Sequence, residues 1–220
     1  MTATRIILVR HGETVWNTEE REMGQLDSPL TAKGLRQAEL LAIRLGSVDF
    51  TSIYSSDLNR AYLTASRISE VKKIGIQKEP RLRERNMGIF QGLTVEEMRI
   101  QFPVERKRYE ETGFEYIVPN GESAHQKVDR TVACLSELAL MHAGESILCV
   151  THGGILMGFF QYVLGLQPDS GARFKRPNAA INIFEYRDHG WVLETWGDVG
   201  HLEGIGTLDD GEARFDKKHE

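Results

Sequence analysis

Cysteine is scarce in this 220-residue chain: the only two, Cys134 and Cys149, lie far apart and form neither a CxxC pair nor a disulfide framework. Both sit among apolar residues, as reduced, buried thiols of a cytoplasmic protein do. No apolar run is long enough to span a bilayer, and the N-terminal one is interrupted by Arg5 and Arg10, too early for the core of a secretory signal. A cytoplasmic protein with no membrane partner is therefore expected. Positive charge is not in excess either. The 27 Lys and Arg against 32 Asp and Glu give a formal net charge of −5, and the pI is about 5.9. Nucleic acid is thereby excluded as an expected partner, and any bound anion has to be held by a local cluster. The seven histidines show no HExxH spacing and the aspartates no DxDxD pattern, so neither a metal nor another cofactor is expected. Prolines are few, and no Pro- or Gly-rich linker divides the chain. One domain over residues 1–206 is expected, with a frayed, charged tail over 207–220.

What is present is the composition of a globular protein, 40% hydrophobic and 27% charged, in a chain long enough to bury a core. Ile6, Ile7, Leu8 and Val9 form a short apolar run rich in β-branched residues, the pattern of a strand buried on both faces. It stops abruptly at Arg10-His11-Gly12. A second run, Ile147-Leu148-Cys149-Val150, stops the same way at Thr151-His152-Gly153-Gly154. Helical periodicity occupies residues 31–45, with Leu35, Ala38, Leu41, Ala42 and Leu45 on one face, and residues 57–68, 94–102, 123–142 and 154–164. Short strands are expected at 52–54, 74–77, 181–186 and 191–195, the last two as a hairpin. Strands alternating with helices predict a three-layer α/β/α domain around a mostly parallel sheet. Residues 102–121, mixed in charge and broken by Pro103 and Pro119, read either as a solvated helix and turn or as a cap over one end of the sheet.

Ligands of parallel sheets bind beyond the carboxyl ends of the strands, where both His-Gly steps fall. Glycine after the histidine lets the backbone turn sharply and approach a ligand, leaving the imidazole at the cleft. Arg10 adds a guanidinium whose planar fork suits phosphate or carboxylate oxygens. Ser55-Ser56-Asp57 follows a strand and opens a helix, where a serine or aspartate is expected to cap. Arg60 lies in the first turn, and the exposed amides of the helix start would reinforce it as an anion site. Leu82-Arg83-Glu84-Arg85 is too polar for a core segment.

Six blocks in order, Arg10-His11-Gly12-Glu13-Thr14, Asn17, Asp27-Ser28-Pro29-Leu30-Thr31 with Gly34 and Gln37-Ala38, Ser55-Ser56-Asp57-Leu58 with Arg60-Ala61, Leu82-Arg83-Glu84 and Thr151-His152-Gly153-Gly154, resemble the histidine phosphatase superfamily, the phosphoglycerate-mutase-like fold. The resemblance spans residues 5 to about 200. It implies that His11 is the nucleophile, that Arg10, Arg60 and His152 hold the transferring phosphoryl group, and that Glu84 is the general acid. Asn17, Gly24, Gln25 and Gly153 are the implied substrate contacts, and Met23-Gly24-Gln25 stands at the pocket rim where many relatives have Gln-Gly-Trp. The roles suit the chemistry: guanidinium groups stabilise charge on the phosphoryl oxygens without a metal, and they disfavour the protonated form of the attacking imidazole. A phosphate dianion beside Glu84 would raise its pKa toward proton donation.

The superfamily contains phosphatases and mutases on one catalytic core. Mutases carry His-Tyr-Gly and then Leu-Asn-Lys after the acid, whereas this chain has Asn86-Met87-Gly88 and then Leu93-Thr94. Phosphatase action on small phosphorylated metabolites is the expectation, as a monomer or homodimer. Arg106-Lys107-Arg108 keeps a bisphosphoglycerate-dependent mutase as the alternative, although pairing with Glu105, Glu110 and Glu111 on one helix explains the same residues. A ligand-binding module without catalysis is a further alternative. Glu13 reads as an anchor of the turn, the tryptophans as packing residues, His125, His142, His189 and His219 as surface residues, and His201 as a candidate to approach the cleft.

Overall fold

The computed structural model describes residues 3–167, 174–188 and 190–207. In chain order its strands are β1 (Thr4–Arg10), β2 (Ser52–Ser55), β3 (Ile76–Lys78), β4 (Ser146–Thr151), β5 (Ile181–Arg187) and β6 (Gly190–Asp198). Its helices are α1 (Val15–Thr18), α2 (Ala32–Gly46), α3 (Asn59–Lys72), α4 (Val95–Gln101), α5 (Pro103–Thr112), α6 (Ala124–Met141) and α7 (Gly153–Val163). The six strands form one sheet in the order β3-β2-β4-β1-β5-β6. The β3-β2, β2-β4 and β4-β1 pairs are parallel, and β5 alone runs against its neighbours.

Side chains alternate across a strand, and here both faces are covered. Ile7, Val9, Leu148 and Val150 face one layer, where Leu41, Ala42 and Leu45 of α2 and Ala61, Ala65 and Ile68 of α3 pack. Ile6, Leu8, Ile147 and Cys149 face the other, with Cys134, Leu135 and Leu138 of α6 and Leu156, Phe159 and Phe160 of α7. The expected three-layer α/β/α sandwich is thus the observed one. Each large apolar side chain removed from water contributes about 1.5–3 kcal/mol, so continuous four-residue apolar runs are affordable only in central strands. Leu35 departs from the expected face of α2: it is exposed, while Gln37 is fully buried in hydrogen bonds to the Glu13 amide and the Gly206 carbonyl.

Both cysteines are buried and free. Burial pushes the Cys134 thiol up to about 12 and the Cys149 thiol well above its ordinary value, so neither is a nucleophile. Trp191 packs on Phe159 and Trp196 on Phe160, at ring-centroid distances of 4.8 and 4.2 Å. His125 is at the surface beside Glu115, as expected. His142 is not: its ring is held between the Tyr54 hydroxyl at 2.9 Å and Glu145 at 2.8 Å. His189 and His219 lie outside the described residues, as does the tail from residue 208.

The 102–121 segment contains the solvated helix that one reading expects. Its helix α5 buries no residue and is solvated. The return is fastened down: Val118 packs with Met87, Phe90 and Met98, and Arg85 donates to the Tyr116 and Glu122 carbonyls at 2.8 and 2.9 Å. Arg85 directly follows Glu84, so the insertion is anchored beside the expected acid.

Candidate active site

Strand register explains why two histidines 141 positions apart in sequence meet. In the β1-β4 pair Arg10 lies opposite Thr151, so the next residues, His11 and His152, leave the sheet side by side. Their ring centroids are 5.2 Å apart, and both side chains are buried. His11 Nδ1 is 2.8 Å from the Gly12 carbonyl oxygen. A carbonyl can only accept, so the proton is on Nδ1 and the lone pair is on Nε2. The His11 carbonyl in turn accepts from the Ala179 amide and from Asn178 Nδ2, both at 3.2 Å. His152 Nε2 shares a 2.8 Å hydrogen bond with Ser56 Oγ, and its Nδ1 is buried without a partner. Burial, then the positive charges of Arg60 and Arg10, hold His152 well below the usual imidazole range, so it is neutral at pH 7.

Arg10 is buried and donates through Nη1 to the Arg176 carbonyl. A Cβ on Gly153 would stand 3.2 Å from its Nε and Cζ, so the guanidinium lies close against the start of α7. Arg60 is likewise buried. Its Nη1 donates to the Leu26 carbonyl at 2.7 Å and to Asp27 at 3.0 Å, and its Nη2 to the Gly24 carbonyl at 2.7 Å. Burial lowers its pKa, Asp27 and Glu84 oppose this, and a guanidinium starting above 12 stays charged.

The start of α3 corrects one expectation. Neither Ser55, Ser56 nor Asp57 caps it in the expected way: the helix begins at Asn59, and Asp57 is paired with Arg83. The cap comes from Asp27, whose carboxylate accepts from the Asn59 amide at 2.9 Å and the Arg60 amide at 3.4 Å. Those amides are therefore occupied by a protein carboxylate, and the anion-binding capacity here belongs to the Arg60 side chain. Ser56 serves His152 instead.

Glu84 is held at both carboxylate oxygens: Oε1 accepts from the Arg85 amide and Oε2 from the Gly154 amide, each at 2.7 Å. Burial pushes its pKa up, but Lys127, the two amides and Arg60 outweigh this, and the net shift is downward. Without a ligand Glu84 is a carboxylate. The approach of Gly154 admits no side chain, since a Cβ there would meet Glu84 Oε1 at 2.4 Å. Gly154→Ala is expected to keep the fold and displace the carboxylate, lowering turnover about 10²-fold with an unchanged melting temperature. Unchanged turnover in that variant would mean that the Glu84 pose is not the working one.

The other expected contacts join the same cluster. Asn17 Oδ1 accepts from the Thr14 amide and hydroxyl and from Asn178, so any hydrogen bond from Asn17 to a bound anion has to come from Nδ2. Gly24, at φ +51°, turns the loop so that its carbonyl meets Arg60. Gln25 Nε2 donates to the Glu84 carbonyl at 3.1 Å, and Gln91 accepts from the Gln25 amide at 2.6 Å. Met23 is not on the rim: it is buried, with its sulfur 3.3 Å from the Thr14 hydroxyl oxygen. Glu13 anchors the turn as expected, through Thr31 at 2.9 Å and Lys33 at 3.2 Å. His201 lies in a short turn at 200–202 with both ring nitrogens buried, near the Ala179 backbone and Asp198. Sequence reasoning passed over Asp27 as a cap, Ser56 as the partner of His152, and Lys127 and Asn178 altogether. Among the described residues no three His, Cys, Asp or Glu side chains gather as a metal site.

A sheet of this order, with paired histidines and arginines at its carboxyl edge, has the architecture of phosphoglycerate-mutase-like proteins. Residues 6–199 match the histidine phosphatase superfamily (branch 1), and the chain belongs to that family. The metal-independent phosphoserine phosphatase of Arabidopsis thaliana is 36% identical over 217 residues, covering 96% of this chain and 90% of that protein. The "Probable phosphoglycerate mutase GpmB" of Proteus mirabilis is 37% identical over 206 residues, covering 91% and 96%. Among solved structures, Bacillus stearothermophilus YhfR superposes with a TM-score of 0.83 at 32% identity, covering 91% of this chain and 100% of that one.

Proposed function

We propose that the chain is a metal-independent phosphomonoesterase acting on small phosphorylated metabolites in the cytoplasm, through a phosphohistidine on His11. The observation that carries this reading is the Nδ1 bond to the Gly12 carbonyl, which puts the lone pair of His11 on Nε2, in a site shared with two buried guanidinium groups and a neutral His152. Nε2 attacks phosphorus, the ester P–O bond breaks, and the leaving alkoxide takes a proton from Glu84. A water molecule then attacks the phosphohistidine and gives a proton back to Glu84, the P–N bond breaks, and inorganic phosphate leaves. Glu84 is ionised before substrate binds, so the arriving phosphoryl dianion raises its pKa and a proton taken up from solvent brings it to the acid form. Arg10 and Arg60 stabilise the charge on the phosphoryl oxygens, a task a divalent metal performs in many other enzymes. The likeness to phosphoserine phosphatase supports hydrolysis of a carboxylate-bearing ester.

The mutase alternative draws on the likeness to GpmB and on Arg106-Lys107-Arg108. Arg106 is paired with Glu110 at 2.9 Å and lies over the Tyr109 ring, and Lys107 faces Glu111 at 3.8 Å. Intrahelical pairing accounts for both, which favours the phosphatase. The test is phosphate release from phosphoglycerates, phosphoserine, sugar phosphates and an aryl phosphate in excess chelator, with His11→Ala alongside. Release that survives chelation and vanishes in the variant is expected. No release from any ester, together with phosphoglycerate isomerisation in the presence of a bisphosphate primer, would overturn hydrolysis in favour of the mutase.

A further inference from the structure

Lys127 is a buried lysine that the proposed chemistry does not use. It sits on α6, 7% exposed, and its ammonium makes a 2.7 Å hydrogen bond to the Gly154 carbonyl. It lies against Gly158 of α7, where a Cβ would stand 3.2 Å from Nζ and 2.8 Å from Val128. The Gly154 residue it grips is the one whose amide holds Glu84 Oε2. One peptide unit on each side of the Gly154 α-carbon is thus pinned, the carbonyl by a cation and the amide by an anion.

The charges around Lys127 come from every element packed on it. Glu84 and Arg85 face it from the segment after β3, Arg130 from its own helix, and Arg176 from the segment before β5, while α7 offers only backbone and Gly158. Glu84 therefore stands among four cations, of which Arg130 is also paired with Glu122 at 2.7 Å. An ammonium in such a place is costly to bury, and geometry gives it one anion to act on.

We propose that Lys127 is a positioning residue for Glu84: its ammonium fastens the Gly154 carbonyl, the Gly154 amide fastens the carboxylate, and its charge holds that carboxylate in the anionic, doubly hydrogen-bonded pose between substrates. The role as acid rests on the phosphatase reading above. The pose does not. The second half-reaction leaves Glu84 protonated; with the cation in place it gives that proton to solvent once phosphate has left, and the next phosphoryl dianion to arrive draws a proton back and restores the acid. Burial lowers the Lys127 pKa to about 8, with Glu84 opposing, so the ammonium form prevails at neutral pH.

The experiment compares wild type, Lys127→Met and Lys127→Arg, with Glu84 followed by ¹³C NMR of its carboxyl carbon and assigned by its loss in Glu84→Gln. Removing a positive charge destabilises the anion, so the Glu84 titration in Lys127→Met is expected to move up by about one pH unit. In Lys127→Arg it is expected to stay near its wild-type position. The alkaline limb of kcat/KM on an alkyl phosphate moves up with the titration, because that limb reports loss of the acid form. A packing role alone would change stability and leave both midpoints in place. If Lys127→Met does not fold, Lys127→Gln removes the charge and keeps a hydrogen-bond donor. A Glu84 titration unchanged in the neutral variant overturns the inference. A wild-type protein inactive on every ester overturns the phosphatase reading instead, and the NMR titration still decides whether Lys127 holds Glu84.

Discussion

Glu84→Gln is expected to lose about 10³-fold in turnover of an alkyl phosphate and far less in the first half-reaction on an aryl phosphate. Glutamine preserves the shape of the side chain and an acceptor for one of the two amides that hold it, from Arg85 and Gly154, but it has no proton to give an alkoxide. An aryl leaving group needs no proton. With such an ester the P–O bond still breaks, His11 is still phosphorylated, and the missing function is the base that activates water. A burst of phenolate followed by slow release of phosphate is the expected time course, with the phosphohistidine accumulating and visible as an acid-labile, base-stable phosphoprotein. Equal losses on both esters and no accumulation would place the proton donor elsewhere.

Asp27→Ala is expected to cost about 2–3 kcal/mol of stability and roughly 10²-fold or more of activity. The carboxylate caps α3 through two amides and faces a guanidinium whose side chain is fully buried. Loss of a cap costs about 1 kcal/mol, and loss of the counter-ion of a buried charge costs a few more. Asp27 itself is one-third exposed and Arg60 keeps the Leu26 and Gly24 carbonyls, which sets the sum at the lower end. In a chain of this size that is a fall in Tm of roughly 5–10 °C. The activity loss follows from Arg60, whose guanidinium is no longer pinned where a phosphoryl oxygen would meet it. Wild-type melting combined with wild-type kcat/KM in this variant would show that Arg60 is positioned without Asp27.

The two histidines were legible because a parallel strand covered on both faces leaves a continuous apolar run, and such a run can end only where the chain leaves the sheet. Ile6 to Val9 and Ile147 to Val150 advertise that, and the polar residue after each falls at the cleft by geometry. Periodicity also placed the helices, yet it put Leu35 inside, because a residue at the edge of an apolar stripe has no sequence mark separating it from the centre. The capping of α3 was misread for a different reason. Capping residues are sought next to the helix, and Asp27 reaches Asn59 from 32 positions away. Lys127 follows Ser123-Ala124-His125-Gln126 in what reads as the solvated face of a capped helix. Its burial is created by α7, where Gly158 leaves room for it. Asn178 had only the turn-forming Pro-Asn step to show, and its contact with the His11 carbonyl exists only once β5 has docked on β1.

That contact has a bearing on the birth of the protein. The carbonyl of His11 is held by Asn178 and the Ala179 amide, and the Arg10 guanidinium by the Arg176 carbonyl, across some 165 residues of intervening chain. A ribosome adds residues at about 5–20 per second, so His11 emerges many seconds before the groups that set its backbone. Through that interval Arg10 and His11 stand without the groups that hold them in the folded chain, and a partial product that ends before Arg176 lacks those contacts.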